Sequence, residues 1–84
     1  MDMRQSVTEP EAIFAEQSRA ILAMRIAKIG ASYTVHLVLN SQKSEVFIST
    51  TRYRKQPKEY MHLGRLIAFV ESTFPSIKTL ELTL

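Results

Sequence analysis

Eighty-four residues, 45% of them hydrophobic and 23% charged, have the profile of one compact globular domain and exclude a disordered tail or a multidomain chain. The chain has no cysteine, so it can form neither a disulfide nor a thiolate zinc site, which suits a reducing, cytoplasmic setting. No unbroken apolar run exceeds the five residues of Leu66-Ile67-Ala68-Phe69-Val70, far short of the roughly 18 residues of a transmembrane helix, and the opening residues lack the apolar stretch of a signal peptide, so no membrane partner is expected.

Residues 1–7 are polar and aperiodic and predict a flexible N-terminal tail. Thr8-Glu9-Pro10-Glu11 then has the pattern of a capping box. The Thr8 hydroxyl can accept from the third amide while the Glu11 carboxylate reaches back to the first, and Pro10 in the first turn loses no intrahelical bond. The helix begun there is expected to show Ile13, Phe14 and Ile21 to a core and Glu11, Glu16 and Arg19 to solvent.

Gly30 could cap one long helix from Glu9 to Ile29. At about 100° per residue, however, such a helix would place Arg25 and Lys28 within its apolar face. The preferred reading ends the helix near Arg19 or Ala20 and makes residues 22–29 a strand with Leu22, Met24 and Ile26 on one face. Gly30-Ala31-Ser32 then turns into a second strand, in which Tyr33, Val35, Leu37 and Leu39 alternate. The turn formers at 40–44 lead to a third strand at 45–51, with Val46, Ile48 and Thr50 on one face, paired antiparallel with the second.

Pro57 keeps Gln56 out of helical dihedrals and cannot donate to a ladder, so residues 53–57 predict a projecting turn, and 58–61 a brief edge strand. Leu63, Leu66, Ile67, Val70 and Phe74 follow the i, i+3, i+4, i+7 pattern of a helix that Pro75 stops. In the closing stretch Leu80, Leu82 and Leu84 alternate with Thr79, Glu81 and Thr83, the pattern of a half-buried strand. The fold expected is α+β in the order α-β-β-β-α-β, an antiparallel meander with a final strand added and the helices packed on one face. No repeat or linker divides residues 1–84, so a single domain is expected.

The progression from a strand through Thr51-Arg52, a basic turn with Pro57-Lys58, then Tyr60, Leu63 and a helix ending before a short strand resembles small, mostly uncharacterised proteins of bacterial plasmids and integrative elements. The similarity covers about the last 60 residues. It implies a mobile-element setting and brings no catalytic residue.

Side chains for catalysis are scarce. Without cysteine, and with Asp2 as the only aspartate, no nucleophile triad is legible. The glutamates are too scattered to nominate an acid/base pair, and two histidines, His36 and His62, lack ligand spacing for a metal. No enzyme activity, cofactor or metal is expected. Charge supplies the one sharp feature. Residues 52–65 carry five Lys/Arg against one Glu, a balance of +4, whereas the remainder carries six against seven, a balance of −1. Arg52, Arg54, Lys55, Lys58 and Arg65, interleaved with Tyr53 and Tyr60, offer phosphate-neutralising charge and faces for base stacking.

Two functions therefore stand. The first is a non-enzymatic protein-interaction or accessory module whose partner is another protein or a second copy of itself. The alternative is a nucleic-acid-binding domain that contacts phosphates through the turn at 52–58.

Overall fold

The computed structural model describes residues 5–41, 44–77 and 79–84. In chain order the elements are β1 (Ser6–Val7), α1 (Glu9–Gln17), β2 (Ile21–Ile29), β3 (Ser32–Leu39), β4 (Glu45–Ile48), α2 (Leu63–Thr73) and β5 (Leu80–Thr83). The strands form one sheet in the order β1-β4-β3-β2-β5. β2, β3 and β4 make the antiparallel meander, while β5 joins β2 and β1 joins β4 in parallel. The result is an α+β fold with a mixed sheet, and only β3 runs against the other four strands.

Both helices lie on parallel returns, β1-α1-β2 and β4-α2-β5, and each return crosses the sheet in the same sense and skips two strands. Such returns are right-handed in nearly all folds, so two that advance in the same sense carry their helices to the same face. One core follows. Met24, Leu37 and Val46 stand in line across β2, β3 and β4, as do Ile26 and Val35, and they are buried together with Ala12 of α1 and Leu66, Val70 and Phe74.

The N-terminus of α1 forms as the sequence predicts. Glu11 donates its amide to the Thr8 hydroxyl and takes the Thr8 amide on its carboxylate, closing the capping box. The helix stops at Gln17 by a device the sequence hides. Arg19 takes a left-handed conformation (φ 55°), its amide donates to the Glu16 carbonyl, and the Ala20 amide donates to that of Ala15. This is a Schellman stop with arginine where glycine is usual. The strand from 21 to 29 follows, and Gly30, at φ 61°, occupies the first position of a two-residue turn into β3, where a left-handed residue is required.

Several expectations are corrected. Ser6–Val7, expected within a flexible tail, form a buried strand paired with Phe47 and Ile48, because the end of β4 offers a free edge and Val7 completes the core beside Ile48. Residues 1–4 of that tail lie outside the described residues, as do Gln42 and Lys43 of the expected turn and Lys78 before the closing strand. Phe14 is 69% exposed. Helix α1 seats on the sheet through Ala12, and Phe14, two residues on at about 100° each, points away from it. Leu22 is also exposed, since the register between β2 and β3 shifts at Ile21/Ala23 and the extra residue of a bulge turns outward. Leu82 and Leu84, expected on the buried face of a half-buried strand, are 43% and 72% exposed, because β5 lies at the sheet edge and only Leu80 packs against the core.

Among the described residues no helix is long and apolar enough to cross a membrane. The exposure difference sets a direct test. Phe14→Ser should change unfolding free energy by no more than about 0.5 kcal/mol, and Phe74→Ala should cost about 3 to 5 kcal/mol by leaving a cavity. Urea denaturation of the two variants measures both.

Candidate nucleic-acid interface

The basic turn leaves the sheet where β4 ends. The Thr50 amide donates to the Gln56 carbonyl, Ser49 bridges Pro57, and the Tyr53 amide donates to the Thr50 hydroxyl at 2.9 Å. These bonds close a loop whose residues 51–56 are all exposed. The returning segment is not an edge strand. Tyr60 exchanges both backbone hydrogen bonds with Tyr33, and the Lys58 amide donates to the Ile48 carbonyl, so the segment is wedged between the diverging ends of β3 and β4.

The charged side chains do not all project. Arg54 donates to the Glu11 carboxylate at 2.6 Å, and the hydroxyl of Ser6 donates to the Arg54 carbonyl, also at 2.6 Å. Lys58 lies 3.0 Å from a Glu9 oxygen that also accepts from the Tyr60 hydroxyl at 2.5 Å. Burial alone would raise the Glu9 carboxyl, but the bonds from Tyr60 and Lys58 outweigh it and hold the group below its ordinary range. Burial, and then the Glu9 carboxylate, push the Tyr60 hydroxyl well above its usual value. The hydrogen bond to Glu11 raises the Arg54 guanidinium in turn.

The first turn of α1 thus presents two carboxylates to the basic loop. Counting Glu9 and Glu11 with residues 52–65 sets five cations against three anions and reduces the local balance from +4 to +2. Among the described residues Arg52, Lys55 and Arg65 form no ion pair, and the Arg52 guanidinium lies 5.9 Å from the centre of the exposed Tyr53 ring. Tyr60 is half-buried and packs against the core. Its ring lies 6.4 Å from that of Phe69, which meets Phe74 edge-on at 6.0 Å. The expected site therefore divides into an exposed tip (Arg52, Tyr53, Lys55) and a clamped base (Arg54, Lys58, Tyr60), with Arg65, in the first turn of α2, lining an open pocket with Tyr60.

A second polar cluster, not anticipated from the sequence, occupies the sheet face opposite the helices. Register places Phe47, His36, Arg25 and Glu81 in one row across β4, β3, β2 and β5. Arg25 donates twice to Glu45, at 2.7 and 3.0 Å, and His36 Nε2 lies 2.8 Å from the Thr34 hydroxyl. Burial first, and then the Arg25 charge, lower the His36 imidazole, while the Arg25 hydrogen bond lowers the Glu45 carboxyl. The available signal was the alternation of β2 and β3, which put Arg25 and His36 on the face away from Met24 and Leu37. It could not give their pairing. Among the described residues no group of three or more side chains could hold a metal ion.

Comparison with known proteins finds no matching family model, no matching curated protein and no matching solved structure.

Two outcomes follow from this electrostatic arrangement. Tyr60→Phe should lower stability by about 1.5 to 3 kcal/mol, the range for a hydrogen bond to a charged group, as read by chemical denaturation. Stability should also decline on acidification in two stages. The unfolded chain protonates His36 near pH 6.5, and Glu9 and Glu45 near pH 4.3, while the folded chain resists each protonation, so stability falls with pH through both ranges. Thermal melting from about pH 8 to about pH 3 measures the decline, and His36→Gln should remove its upper stage.

Proposed function

We propose that this chain is a small non-enzymatic protein-interaction module that binds through the open edge of β5. The observation that carries the reading is the exposure of Leu82 on the edge strand of the sheet and of Leu84 just beyond it. Leu82 stands opposite Ile26, a residue of the core face, so an apolar face continues past the last paired strand. An extended segment added there would gain backbone hydrogen bonds and cover apolar surface, the mode of strand addition. An accessory role in a plasmid or integrative element, and a cytoplasmic place, belong to the same proposal. The first rests on the resemblance of the last 60 or so residues and the second on the lack of cysteine.

The nucleic-acid reading keeps one supporting observation, the exposed tip of Arg52, Tyr53 and Lys55. Pairing of Arg54 and Lys58 with Glu11 and Glu9 counts against it, because a phosphate would have to displace a carboxylate before gaining either contact. Arg54, Lys58 and Tyr60 are accordingly read as structural, and Arg65 lies beside Tyr60.

Backbone amide shifts separate the two readings. Titration with short extended peptides of alternating apolar and polar residues should move the amides of residues 80–84 and leave 51–56 unmoved, with little change on adding salt. Short single- or double-stranded oligonucleotides that instead move the amides of Arg52, Tyr53 and Lys55 at about 50 mM salt, with affinity falling steeply as salt rises, would replace the module reading by the nucleic-acid one.

A further inference from the structure

We infer that the occupant of the β5 edge is the β5 edge of a second copy of this chain, paired antiparallel about a twofold axis through Leu82. The inference rests on the reading of β5 as the docking edge and names its partner.

Three observations lead to it. The first is that the edge has an apolar groove beside it as well as exposed leucines. Val70 and Phe74 of α2, with Pro75, Ile77 and Leu80 and with Glu71 as the one charged member, line a pocket between the end of the helix and the start of β5. The second is the position of the projecting side chain. Leu84 is the most exposed large hydrophobic residue of the described chain, at 72%, and it lies four residues beyond Leu80, on the same face of an extended strand. One edge thus bears a hole at one end and a knob at the other, the arrangement a twofold, self-complementary interface needs.

The third observation is charge, which selects the register. Residues directly opposite in an antiparallel pair share a face, so if both copies are to keep their helices on one side, leucines must face leucines. An axis through Glu81 would put Glu81 against its own copy, and like charges directly opposite are destabilising. An axis through Thr83 would set Leu84 against Leu82 and keep it away from the groove at Leu80. An axis through Leu82 sets Leu82 against Leu82, Glu81 against Thr83, and Leu84 against Leu80 at the mouth of the groove, where cross-strand side chains come within contact. Glu81 stands in register beside Arg25 of β2, whose guanidinium is hydrogen-bonded to Glu45. The two five-stranded sheets would join into one, with six leucines forming a continuous seam beneath it, and each copy would lose an exposed edge of the kind proteins otherwise cover or blunt.

Because the chain has no cysteine, a single introduced thiol reports the register without interference. Leu82→Cys should yield an oxidised, covalently linked dimer. Glu81→Cys and Thr83→Cys should each link poorly alone and efficiently when mixed. By sedimentation equilibrium the wild-type chain should show twice its 9.6 kDa mass, unchanged by added salt, and Leu84→Glu should weaken dimerisation at least tenfold while circular dichroism and thermal melting stay as in the wild type.

A wild-type mass of 9.6 kDa up to about 0.5 mM, a concentration at which even weak specific interfaces are populated, overturns the inference. So does preferential linking through Glu81→Cys alone. If the chain is monomeric and strand peptides still move the amides of residues 80–84, the second copy falls and the module reading stands. If those amides respond to no peptide either, both fall.

Discussion

An 84-residue chain has side chains for one buried layer, and that limit shapes the molecule. Five strands present one apolar face, two helices cover it, and the other side carries Arg25, His36 and Phe47 half-buried and Glu81 exposed. The two parallel returns make this economical, since each crosses the sheet in the same sense and delivers its helix to the same layer. Val7, Ile26, Val35, Leu37, Ile48, Leu66, Val70 and Phe74 meet there with almost no exposure. The layer fades toward β5, where exposure rises from Leu80 to Leu84, and the same limit that gives the domain its core leaves that edge uncovered.

Electrostatics in this fold serve anchoring more than display. Glu9 and Glu11 sit in the first turn of α1, where a negative charge is favoured by the helix dipole, and the basic loop folds back on them. Glu11 closes the capping box and holds Arg54, and Glu9 takes both Tyr60 and Lys58. The exposed member of each pair adds little by itself, as surface ion pairs do. The half-buried Tyr60 hydroxyl on Glu9 matters more, because loss of either group strands the other away from water. A loop built this way is a brace between α1 and the ends of β3 and β4, and it spends on that brace two of the cations a phosphate would need.

The edge of β5 is where the molecule is least satisfied. Edge strands are commonly shortened, charged or bulged to prevent pairing, and β1, the opposite edge, is only two residues long. β5 has one charge, Glu81, on its open face, and its leucines continue the core surface outward. Among the described residues, a short, buried edge on one side of the sheet thus contrasts with a leucine-bearing, exposed one on the other.

Sequence alone determined what depends on neighbours along the chain. The capping box at Thr8 and Glu11, the Gly30 turn, the alternation of β3, the stripe of α2 and its stop before Pro75 are local patterns, and each could be read residue by residue. The choice of strand over helix at 22–29 was also legible, because Arg25 and Lys28 would have spoiled a helical face. Only the tertiary structure decided which carboxylates meet which cations, since Glu11 and Arg54 are 43 positions apart and no periodicity relates them. It also decided that two residues of an apparent tail complete the sheet, and that the bulge at Leu22 turns a leucine outward. Finally, it decided that alternation in β5 marks an edge and not an interior. A period of two states which side chains share a face, but whether that face is covered depends on strand order, which is set by how distant segments pack and leaves no mark in local sequence.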